Sequence, residues 1–156
     1  MPFLFGIEFV VLHPINFFNM KTLRFLLLFM MLCFGFQKTT AQVYNFKTSS
    51  LSVMDKNEKG AWNKWSDFRK AELIITLDGK KDRFIVNSKE LQLYKIDSYL
   101  EKVSTEEDDT MGFNCTDNEG VKCIILIVTR KKENNRMQFY INYTDLKMVY
   151  NIYNAN

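Results

Sequence analysis

With 156 residues, 47% of them hydrophobic, the chain is long enough to bury one core and too short for several domains. Its 21 Lys and Arg stand against 18 Asp and Glu, a formal net charge of +3, which excludes a nucleic acid or an anionic membrane as a partner held by bulk charge. The single histidine, His13, lies near the start of the chain, so Ser–His or Cys–His catalysis has no base elsewhere.

Residues 1–19 (MPFLFGIEFVVLHPINFFN) contain Glu8 and no Lys or Arg, the wrong charge for the start of an export signal. They read as an upstream extension or a mis-called start, with Met20 the true one. From Met20 the order is that of a secretory signal peptide over 20–41. Lys21 and Arg24 come first, then an apolar run over 25–36, then a polar stretch ending in Thr39-Thr40-Ala41. The apolar run is too short to span about 30 Å of hydrocarbon as a stable helix. Met30-Met31-Leu32 ahead of Cys33 argues against a lipid anchor there. Cleavage is expected between Ala41 and Gln42. It would leave 42–156 as an exported all-β domain with no membrane span, in the periplasm, at the cell surface or outside the cell. The cut removes His13, both prolines and Cys33, and leaves the remaining charges nearly balanced.

In 42–156 the apolar pattern has period two or forms short continuous runs, broken by Gly, Asn and Asp. It predicts eight strands, over 43–48, 71–77, 83–88, 91–100, 111–117, 121–130, 136–144 and 147–153. The even spacing fits a single antiparallel β-barrel or β-sandwich of about eight strands. The absence of proline after Pro14 suits a sheet, whose strands need their N–H donors.

Between the first two strands, 61–70 (AWNKWSDFRK) has room for a short helix. Trp62 and Trp65 read either as a plug for the end of a barrel or as a platform that stacks on a sugar or anchors a protein partner. In the second case Asn63, Lys64 and Asp67 supply hydrogen bonds. At Asp78-Gly79 the expected turn is a four-residue loop over 78–81. It sets Ile75 against Phe84 and Leu73 against Val86, which keeps apolar faces together. Glu106, Glu107, Asp108 and Asp109 read as a solvated, mobile loop rather than a calcium site.

Cys115 and Cys123 flank a turn at 117–120, with Gly120 in the left-handed position. A three-residue loop pairs Asp117 with Val121, Thr116 with Lys122, and Cys115 with Cys123. Export favours oxidation, so a Cys115–Cys123 disulfide is expected. In 121–130, Val121, Cys123, Ile125 and Ile127 share one side and Ile124, Leu126 and Val128 the other, the pattern of a central strand covered on both faces. In 136–144, Met137, Phe139, Ile141 and Tyr143 point one way, and Gln138, Tyr140 and Asn142 the other.

No Gly-rich phosphate loop occurs, and neither a metal nor a cofactor is expected. The reading is an exported binding or interaction module for a protein or carbohydrate partner. The alternatives are a β-barrel carrier of a small apolar ligand and a carboxylate-based hydrolase, for which no pair of carboxylates stands out.

Overall fold

The computed structural model describes residues 42–155. The expected leader, the start at Met20 and the residues ahead of the cut lie outside the described residues. Ten strands follow in order: β1 (Val43–Asp55), β2 (Arg69–Lys70), β3 (Ile74–Asp78), β4 (Arg83–Asn87), β5 (Leu91–Tyr99), β6 (Val103–Ser104), β7 (Asp108–Asp117), β8 (Lys122–Arg130), β9 (Arg136–Asn142) and β10 (Leu146–Asn154). Among the described residues there is no helix. Eight strands form a closed antiparallel barrel in the order β1-β3-β4-β5-β7-β8-β9-β10. β10 closes on β1, from Phe46 opposite Asn154 to Asp55 opposite Leu146. The two-residue strands are accessory: β2 lies beside β1, and β6 beside β7.

Period-two alternation explains the interior. Phe46, Ile75, Phe84, Val86, Tyr94, Ile96, Phe113, Cys115, Cys123, Ile125, Ile127, Phe139, Ile141, Tyr150 and Ile152 form one buried cluster, with representatives from all eight barrel strands. Side chains meet across it: the Phe84 ring stands 5.0 Å from that of Phe113 and 5.3 Å from that of Phe139, both edge to face. An eight-stranded barrel is just wide enough for its own side chains to fill.

The eight expected strands correspond to the eight barrel strands, with four corrections. β1 runs on to Asp55 instead of ending near residue 48, because its second half has β10 as a partner. The turn after β3 is displaced: Asp78 pairs with Arg83, so Ile75 lies opposite Val86 and Leu77 opposite Phe84. The shift from the expected pairing is two residues, so the inward faces are unchanged. It is set by Asp82, which takes a left-handed backbone (φ 44°), and by an ion pair between Asp78 and Arg83. Residues 61–70 are extended, not helical, because their backbone groups bond to β1. The acidic run is no free loop. Asp108 and Asp109 open β7 and pair with Arg130 and Lys131, while Glu107 pairs with Lys132.

The 117–120 turn forms as expected. Gly120 has φ 85°, and the Asp117 side chain accepts from the N–H groups of Glu119 (2.9 Å) and Val121 (2.8 Å). Outward coverage of β8 is only partial: Val128 is buried, but Ile124 is 42% exposed.

Candidate functional site

Among the concavities of this barrel are one on its outer wall beside Trp65 and one at its mouth. The first is built by 61–70. β3 pairs with β1 only through Lys47, which leaves the far edge of β1 open beyond that point. Residues 61–70 occupy that edge. Asn63 donates its backbone N–H to the Asp55 carbonyl and its side-chain amide to the Asp55 carboxylate, each at 2.9 Å. Ser66 N–H donates to the Val53 carbonyl (2.8 Å), and the buried Ser52 hydroxyl donates to the Ser66 carbonyl (2.6 Å). β2 then pairs with Ser50 and Leu51.

This zipper places both tryptophans outside the barrel, so neither plugs it. Trp65 is 40% exposed, with its ring edge-on to Tyr140 at 6.3 Å. Trp62 is capped by the ammonium groups of Lys147 (4.5 Å) and Lys56 (5.0 Å). Asn63 is consumed in holding the segment. Asp67 is exposed and does not line the groove beside Trp65. Of the five residues expected to form a binding site, Trp65 lines the groove, and Trp62, Asn63, Lys64 and Asp67 do not.

That groove, about 280 Å³, runs between Trp65 and Phe68 on one side and the outward face of β8 and β9 on the other. Its floor is a fixed polar row. Arg130 donates to Gln138 Oε1 (3.1 Å) and to the Tyr140 hydroxyl (3.2 Å), and pairs with Asp108. Tyr140 donates to Gln138 Oε1 (2.9 Å), and Gln138 Nε2 donates to Asn151 Oδ1 (3.1 Å). Arg136 donates to the same Asn151 oxygen (2.8 Å) and pairs with Glu133. Burial works against the Arg130 cation, but the Tyr140 hydroxyl and the Asp108 carboxylate outweigh it and hold its pKa above the ordinary value. These residues were visible in the sequence only as the polar face of alternating strands. Nothing local marked them as lying beneath Trp65.

The second site is the barrel mouth, where the turns after β4, β7 and β9 converge around a cavity of about 490 Å³. Tyr94, only 2% exposed, donates to Gln92 Oε1 (2.9 Å), and Tyr143 donates to Asp117 Oδ2 (2.9 Å). Burial raises Tyr94 to about 12 and, joined by the neighbouring Tyr94, pushes Tyr143 up as well. Burial also acts to raise Asp117, but the Val121 N–H, the Tyr143 hydroxyl and the turn amides hold it below the usual carboxylate value.

Cys115 and Cys123 lie inside the barrel, directly opposite each other, yet both thiols are free. The register was expected and the disulfide is not formed. Asp117 N–H donates to the Val121 carbonyl (3.0 Å), so alternation makes the cysteines, two residues further along each strand, a pair of the same hydrogen-bonded kind. Side chains stand farther apart in such pairs, and a bridge there is strained. The Cys115 thiol instead meets the Phe113 carbonyl at 3.8 Å.

Burial raises Cys115 to about 12 and Cys123 to about 11. An unfolded thiol titrates near ~8.5. The resulting contribution to stability is therefore complete below that pH and is lost as pH rises toward the folded values. At neutral pH neither cysteine is a nucleophile. The native domain should leave both thiols unreacted with dithiodipyridine, and two should react after unfolding. Rapid reaction of the folded domain would contradict this burial.

Among the described residues, no group of three or more His, Cys, Asp or Glu side chains is arranged to hold a metal ion. No family model, curated protein or solved structure matches this chain.

Proposed function

We propose that residues 42–156 are an exported binding module whose ligand, a carbohydrate, lies in the groove beneath Trp65. The observation that carries this reading is a half-exposed indole held beside a fixed row of planar hydrogen-bonding groups, Arg130, Arg136, Gln138 and Tyr140. A sugar ring offers an apolar C–H face to an indole, and its hydroxyls take up planar donors and acceptors at the ring edge. At about 280 Å³ the groove lies just below the usual size of small-molecule sites, which favours a short glycan segment over a protein surface. The packed barrel interior favours this reading over a carrier of an apolar ligand. Glu133, which lines the groove, and Asp108, which holds Arg130 beneath it, are both engaged by arginine, which counts against a hydrolase.

A soluble-glycan panel read by isothermal titration calorimetry tests the reading. A positive glycan should lose at least about tenfold in affinity with Trp65→Ala, equivalent to about 1.4 kcal/mol. Trp62→Ala should bind normally, and both variants should keep a near-native melting temperature. Binding retained by Trp65→Ala, or capture of a protein partner without any glycan, overturns it. Export is tested separately by intact mass: the secreted form should begin at Gln42, and a secreted form retaining earlier residues refutes the cut.

A further inference from the structure

We propose that the mouth of the barrel is a second binding site, for a small organic cation such as a quaternary ammonium or protonated amine. The site is independent of the outer-wall groove. Three observations converge on it. The first is the cavity itself, about 490 Å³, within the range of small-molecule sites and in a location where β-barrels often hold ligands. The second is its aromatic lining: Tyr94 and Tyr143 are both present, and their hydroxyls are already tied to Gln92 and Asp117. Tyr143, half-buried, still has ring surface to offer a ligand, and such a surface attracts a desolvated cation, while Tyr94 closes the bottom of the cavity from the core.

The third is charge. Glu90, Asp117, Glu119 and Asp145 line this cavity, and no Lys or Arg does. Every ion pair among the described residues lies elsewhere, and none uses these four carboxylates. The imbalance is local, because the chain as a whole is slightly basic. A cation entering the mouth therefore meets carboxylates free of ion pairs at the rim and the Tyr143 ring deeper in.

The same geometry argues against a metal ion. Calcium takes six to eight oxygens in one shell. Here the Asp117 carboxylate already accepts from Tyr143, Glu119 and Val121. Beside Gln92 and Asn118, the side chains of Leu91, Val121, Leu146 and Met148 add apolar wall, which suits the alkyl groups of an organic cation.

The test uses choline, butylamine and 3,3-dimethylbutan-1-ol, the neutral carbon isostere of choline, titrated into the folded domain and followed by amide chemical shifts. At least one of the two cations should saturate a site whose shifts centre on residues 88–92, 117–121 and 143–146, and the neutral isostere should bind at least about tenfold more weakly than choline. Glu90 and Asp145 are exposed, so Glu90→Gln with Asp145→Asn should leave the fold intact. That variant should weaken cation binding, and added salt should weaken binding to the unaltered domain. Tyr143→Leu, with folding checked by thiol protection, should weaken it further, whereas Tyr143→Phe should retain most of it. Failure of both cations to saturate, equal binding of the neutral isostere, or shifts centred on the Trp65 groove would each overturn the proposal.

Discussion

Phe139→Ala should destabilise the domain by about 3–5 kcal/mol in urea or guanidinium unfolding. Phe139 is fully buried, its ring 5.3 Å from that of Phe84 and 6.5 Å from that of Tyr150. It therefore bridges β9 to β4 across the interior and to β10 beside it. Phe84 also leans on Phe113 at 5.0 Å, so removing Phe139 leaves a void that neighbouring rings, already in contact with one another, close only in part. A domain of this size has a total stability of about 5–15 kcal/mol, so the loss is a large share of it. Phe139→Leu keeps most of the volume and should lose much less. A loss below about 1 kcal/mol for Phe139→Ala would mean that the barrel interior is not packed as described.

Thr48→Val should cost about 2–4 kcal/mol although it preserves size and shape. Thr48 is 1% exposed, and its hydroxyl makes two bonds: it donates to the Ala71 carbonyl and accepts from the Leu73 N–H (2.9 Å). Its own N–H donates to the Leu73 carbonyl (2.9 Å). The residue sits where the register of β1 on β10 shifts between Thr48 and Ser50, and where β1 changes its other neighbour from β3 to β2. A valine there leaves the part-buried Ala71 carbonyl and Leu73 N–H without this partner. Thr48→Ser keeps the hydroxyl and should recover most of the loss. Equal melts for the valine and serine variants would show that the bulge is held by its backbone alone.

The inward faces of the strands were legible because alternation is local. Phe139 and Ile141, or Cys123, Ile125 and Ile127, declare a shared side within a few residues. The Asp117–Gly120 hairpin was legible for the same reason: an Asp that caps its own turn and a glycine that takes positive φ determine loop length and register together. Asp78-Gly79 misled on pairing because Asp82, a non-glycine residue, takes the left-handed position, which no local rule singled out. The Trp62–Trp65 segment misled because its extended form depends on a vacant edge of β1, and that edge exists only where β3 turns away. The cysteine register was right and the bridge was not. Opposition in sequence puts two thiols on one face, while bonding also depends on which kind of pair they occupy.

The sequence by itself determined that the region after residue 41 is all-β, which faces its strands bury, and how tightly the cysteine hairpin turns. These follow from side-chain period and turn chemistry within stretches of a few residues. Only the tertiary structure decided that the sheet closes. Closure rests on pairing β1 with β10, nearly a whole domain apart in the chain, and period-two patterning is the same in a barrel and a sandwich. Closure also created both candidate sites. It set Trp65 against Tyr140 and Arg130, and it drew the turns that carry Glu90, Asp117 and Asp145 around one opening. Sites of this kind are assembled from residues distant in the chain, so no local pattern encodes them.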